Sequence, residues 1–171
     1  MKKLLTTLAI GTALMSGAAM AENFEFNATI DIVETLKVKE ARQMDFGVIE
    51  RPASDVKVHI TKNSVVGNGN TATHLDTSTI ASGLYKISGS ALKSISIAAK
   101  DAGNVAGMSF ASLDGSYNGG IEKDILTSPL TGQAAPTLTG KDLVLGGVLN
   151  VSPTVQEGTY EPAFVLDVNY E

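Results

Sequence analysis

The chain has two imidazoles, His59 and His74, and no thiol. Zinc sites draw on clusters of His, Cys and carboxylate groups, and the sequence has no His pair at helical spacing and no carboxylate–His cluster that suggests one. His59 lies on the polar side of the alternating run "DVKVHI", so an exposed imidazole is expected. Oxygen ligands for calcium gather in "LDGSYNGGIEKD", with Asp114, Asn118, Glu122 and Asp124. Their order does not match a calcium loop, and a hairpin tip with solvated acids is expected. Ser109, Ser112 and Ser116 lie near acids, but no Gly-x-Ser-x-Gly elbow presents any of them as a nucleophile. "GNGNTATH" lacks the lysine and the following helix of a phosphate loop. A paired-carboxylate glycosidase would want aromatic platforms, and the chain has no tryptophan. The expectation is a protein that is not an enzyme, with no catalytic residue, no metal and no cofactor.

The elements that would position any site are mostly strands. "MKK", the apolar run "LLTTLAIGTALMSGAA" and the small residues Ala19 and Ala21 read as a signal peptide over residues 1–21, cut before Glu22. That places the protein in the periplasm in transit, then at the cell surface or beyond. The run is too short and too rich in Thr, Ser and Gly for a membrane anchor, so no stable membrane insertion is expected. Residues 22–171 are enough for one domain with its own core. Without Lys2 and Lys3 the chain keeps 11 basic against 18 acidic side chains, a net charge of about −7. Such a balance argues against nucleic acid or anionic lipid as a partner. The lack of cysteine means the fold must stand without disulfides.

Period-two alternation appears in "FEFNATIDI", "DVKVHI" and "AFVLDVNYE". Further strands are expected in "LKV", "MDFGVI", Tyr85–Ile87, Ile95–Ala98, "GMSFASL" and "DLVLGGVLNV". Gly47 inside "MDFGVI" suggests a bulge or a close backbone approach, and Gly146-Gly147 a bulge or a tight turn. Ile121, Ile125 and Leu126 have helical spacing, so a short helix is expected in "NGGIEKDILTS". Many short strands punctuated by Gly, Ser, Thr and Asn predict an all-β sandwich or barrel.

Both ends carry unusual weight. Phe24, Phe26, Ala28, Ile30 and Ile32 make one apolar row, and Phe164, Leu166, Val168 and Tyr170 make another. Burying the four large residues of the first row would contribute about 6–12 kcal/mol gross. Ordering a free tail of that length costs about 1–2 kcal/mol per residue. Side chains alone would not hold a donated strand, so a backbone ladder would have to tip the balance.

"NFEFNATIDIVETLKV", "MDFGVIE" and "GTYEPAFVLDVNYE" resemble segments of pilin subunits of the chaperone–usher type, and more loosely those of other small secreted bacterial β-sandwich proteins. The resemblance implies an immunoglobulin-like β-sandwich that is incomplete and is completed by strand addition. It implies that Phe24, Phe26, Ala28, Ile30 and Ile32 are donor side chains. Phe164, Leu166, Val168 and Tyr170 would form the groove edge and the strand recognised by a periplasmic chaperone. The implied partners are like subunits in a polymer, that chaperone and an outer-membrane usher. The implied function is a structural subunit of a fimbria or surface fibre. Two alternatives stay open: a self-complete secreted β-sandwich that binds a partner at the cell surface or in a biofilm matrix, and a small hydrolase on a jelly roll.

Overall fold

A computed structural model describes residues 30, 32–103 and 105–171. The chain divides between Asp31 and Ile32, and the domain described below is Ile32–Glu171. Phe24, Phe26 and Ala28 of the expected donor row lie outside the described residues, while Ile30 and Ile32 are 80% and 82% exposed.

The described residues form eleven strands and no helix: β1 (Lys37–Arg42), β2 (Val48–Ile49), β3 (Val56–Ile60), β4 (His74–Asp76), β5 (Gly83–Ser88), β6 (Ile95–Asp101), β7 (Met108–Tyr117), β8 (Lys123–Asp124), β9 (Leu130–Gln133), β10 (Lys141–Val151) and β11 (Phe164–Tyr170). The large sheet runs β1-β5-β10-β7-β8. β10 is long enough to take β5 along its first half and β3 along its second, on one edge, with β7 along the other. The smaller sheet runs β11-β6-β9, and β2 pairs with β4 as a separate ribbon. Every strand ladder is antiparallel. This is an all-β sandwich, as the alternation predicts.

Alternation decides which residues meet between the sheets. Ile87, Leu143, Leu145 and Leu113 of the large sheet are fully buried, as are Ile95 and Ile97 of the smaller one. One long side of the sandwich is stitched shut beside β8 and β9. Ile125 donates its N–H to the Leu113 carbonyl of β7 at 2.8 Å and accepts from the Ala99 N–H of β6 at 2.9 Å. A single residue thus bonds to both sheets.

That stitch replaces the helix expected over "NGGIEKDILTS". Ile125 is buried because its backbone spans the sheets, while Ile121 is 88% exposed; apolar spacing alone cannot tell the two situations apart. The expectation of a solvated hairpin tip holds for Asn118 and Glu122, which are exposed, and fails for the other two acids. Asp114 and Asp124 are half-buried on paired strands. His59 is half-buried as well, since Gly67 lies over its ring; a Cβ there would stand 2.3 Å from it. Gly146-Gly147 makes no turn: β10 continues, and its register against β7 shifts one step later, between Val148 and Leu149. Gly47 is a close approach, with φ +78 and room for a Cβ denied by the Asp76 carbonyl at 2.7 Å.

Candidate functional site: an open groove between two sheet edges

The polar residues that could do chemistry do not converge. Asn70 holds the two histidines loosely together, accepting from the His59 backbone N–H at 3.2 Å and facing His74 Nε2 at 3.3 Å through Oδ1. His59 Nδ1 meets the Asn68 carbonyl at 2.6 Å. Ser112 and His59 flank Val148 on the outer face of the large sheet. Two strand spacings separate them, about 9.5 Å. The Ser112 hydroxyl donates to Asp114 at 3.2 Å, so the acid and not the imidazole takes its proton. That geometry is not a nucleophile–base pair. Burial pushes the Asp114 carboxyl up, the Ser112 hydrogen bond opposes this, and the charges of Asp124 and Glu122 add to it. Ser116 is buried and bonded to the Gly120 carbonyl at 2.7 Å. Among the described residues no group of three or more His, Cys, Asp or Glu could hold a metal ion.

The feature that stands out is apolar. The sheets are stitched beside β8 and β9, but on the opposite side the edge strands β1 and β11 have no ladder between them. Among the described residues β1 pairs only with β5, and β11 only with β6. From between these edges a groove of about 1620 Å³ extends past Arg42 and Phe164, where residues 43–52 and 155–163 supply most of its lining. Val38, Glu40 and Arg42 line it from β1, and Phe164 and Leu166 from β11. Its floor is the core itself: Val58, Met108, Phe110, Leu149 and Val151 are nearly buried and still face it. An aromatic chain crosses it, from Tyr85 to Phe164 at 6.0 Å between ring centres, then to Phe110 at 5.6 Å and on to Phe46 at 6.2 Å.

The inward row of β11 shows what is missing. Phe164, Leu166, Val168 and Tyr170 all point at the core cluster, yet each is only half-buried. Six residues of β1 are exposed without exception. An edge strand with an apolar inner row and bare N–H and C=O groups is a template for another strand. Glu40 stands at the rim and accepts from the Tyr85 hydroxyl at 3.3 Å. Burial and then the Glu40 charge push that phenol up to about 12, so it remains a donor.

One end of the groove is blind. The Tyr170 hydroxyl accepts from the Ser90 N–H at 2.6 Å and donates to the Glu34 carbonyl at 2.6 Å. It thereby ties β11 to the segment that leads into β1. Gly89 makes room, since a Cβ there would lie 2.3 Å from the hydroxyl oxygen. Leu36 closes in from the same side and packs on the core. Accordingly Phe164 and Leu166 line the groove, but Val168 and Tyr170 do not. Of the four β11 residues read from the sequence, two form the wall and two the closed end. Tyr170→Phe should cost about 1–2 kcal/mol, because a buried-side N–H and a carbonyl lose their shared partner. Urea unfolding reads that cost, and amide exchange should quicken at Ser90.

Sequence reasoning missed the opposite lip. "LKV" reads as a strand, but nothing local says that it faces β11. That pairing of edges comes from strand order.

Neither the curated proteins nor the solved structures contain a match to this chain. A family model described as Domain of unknown function (DUF4402) matches residues 36–170, which contain both lips, the floor and, apart from Glu34, the blind end of the groove. The chain therefore belongs to the DUF4402 family.

Proposed function

We propose that the protein is an exported structural subunit of a surface fibre, assembled by β-strand addition. The observation that carries this reading is the unpaired β1–β11 gap, floored by core residues and walled by a half-buried apolar row. A single strand laid into it would pair with both edges and complete the sandwich. The matching segment is Phe24–Ile32 of a second copy, whose apolar row has the period that the groove requires. Its own copy is a poor recipient. To fold back beside β1 the chain would have to reverse within "VETL", which holds no Gly, Pro, Asn or Asp and includes two β-branched residues. A segment that fills a neighbour's groove makes a head-to-tail contact, and repeated contacts of that kind build an open fibre. A periplasmic chaperone would cover the groove before assembly, and an outer-membrane usher would receive the subunit. The signal-like N-terminus supports this route.

Deleting Glu22–Ile32 from the chain should abolish polymers and leave a folded monomer. Size-exclusion chromatography with light scattering checks this. Polymers from the deleted chain would sink the reading. The self-complete binding protein remains the second reading, favoured by the folded core, and predicts a stable monomer from the full chain.

A further inference from the structure

The groove side of β1 carries one apolar, one acidic and one basic residue, whereas its other row has two lysines and no acid. Val38, Glu40 and Arg42 face the groove. Lys37 and Lys39 alternate with them and so turn to the outer face of the large sheet. Both are exposed, and among the described residues neither has an ion-pair partner. Lys39 stands directly opposite Lys86 of β5, whose ammonium is held by Asp142 at 3.0 Å. Like charges facing each other across a ladder are unfavourable. Among the described residues no strand pairs with the remaining side of β1. A strand added there would set its own outward row beside the two lysines.

In the N-terminal segment the residues alternating with the apolar row are Glu25, Asn27, Thr29 and Asp31. Glu25 and Asp31 are six positions apart, about 20 Å in an extended strand. Lys37 and Lys39 are two apart, so only one of the acids can meet them. The blind end of the groove decides which. The C-terminal side of the segment continues into the body of its own subunit, which must stay outside. The segment therefore enters N-terminus first, and Glu25 travels toward the Tyr170 end. Lys37 and Lys39 sit at that end, with Lys37 opposite Ser88 and near the Ser90–Tyr170 contact.

We propose that Lys37 and Lys39 pair with Glu25 of a neighbouring copy, fixing the polarity and register of the incoming strand. The inference rests on the strand-addition reading above. In this arrangement the strand runs parallel to β1 and antiparallel to β11. Phe24 lies by Val38, and Ile32 lies at the open mouth near Phe46.

Charge reversal tests it in the full exported chain. Lys37→Glu with Lys39→Glu should slow polymer growth about tenfold at low salt, with the deficit shrinking at 1 M salt, where charges are screened within about 3 Å. Adding Glu25→Lys to that double variant should restore growth to within about twofold. Edge lysines that merely discourage unwanted strand pairing would work equally well with either sign of charge. Wild-type growth of the Lys37→Glu/Lys39→Glu variant, or no rescue by Glu25→Lys, would therefore overturn the proposal. Unchanged thermal unfolding shows that the exposed substitutions left the fold intact. Because the chain has no cysteine, disulfides report polarity cleanly. Glu25→Cys with Lys39→Cys should give an intersubunit ladder on oxidation, and Asp31→Cys with Lys39→Cys should not. The opposite pattern overturns the polarity. The two readings fail separately. Polymers without Glu22–Ile32 defeat strand addition, whereas a silent charge swap in a chain that needs Glu22–Ile32 defeats only the register.

Discussion

Leu145→Ala should cost about 3–5 kcal/mol of unfolding free energy in the monomer, while Leu166→Ala costs about 1 kcal/mol. Both are leucines on inward rows, and the difference lies in what covers them. Leu145 has no exposed surface and packs on Gly115 and Gly83 at the centre of the large sheet. Its removal leaves a cavity that rigid strands on both sides cannot fill. Leu166 is half-buried and already faces the groove, so truncation mostly enlarges a space that exists. Occupation of the groove should change this ranking. With a strand seated against β11, Leu166 becomes a core residue and its truncation should weaken the assembled form by about 2–5 kcal/mol. Urea unfolding of the two monomeric variants, followed by dissociation of their polymers, measures both effects. Equal costs in the monomer would mean that β11 is already covered.

Gly146→Ala should prevent folding or remove more than about 3 kcal/mol of stability. The clash is with backbone, which cannot step aside. A Cβ at Gly146 would lie 2.8 Å from the Ile60 carbonyl oxygen, the Thr61 carbonyl carbon and the Lys62 nitrogen. The residues that follow β3 cross there onto β10, and the pair Gly147–Ile60 opens their ladder. Pushing this crossing outward would unseat β3 and, with it, buried Val58 and Ile60. Gly119→Ala is the contrast. Its φ is +73, but nothing lies within 4 Å of the added carbon. Only the left-handed strain is felt there, about 1–2 kcal/mol. Soluble yield and thermal unfolding of the two variants separate contact from conformation.

Long alternating segments were legible in the sequence because one buried face imposes period two. β3, β6 and β11 fall where "DVKVHI", Ile95–Ala98 and "AFVLDVNYE" place them. β4, β8 and β9 were not legible. They are two to four residues long, too short to show a period, and are held by their partners. Ile125 misleads as a helical residue because its burial comes from bonding to two sheets. His59 and Asp114 misread for a related reason: neither the loop residue Gly67 over His59 nor the β8 strand beside Asp114 leaves a mark on the side chain's own neighbourhood. For the groove, the sequence showed the β11 wall but not its partner. Val38 and Glu40 become a lip only because β1 ends one sheet on the side where β11 ends the other.

The Tyr170 tie also bears on force. Under the strand-addition proposal, a segment that points at the closed end is pulled along its own axis, back toward the mouth. Tension on a fibre would then load its backbone bonds together, in shear, instead of peeling them one at a time. The same two hydrogen bonds that close the end of a cleft would thus set the direction in which each joint is loaded, because they decide which way the segment points.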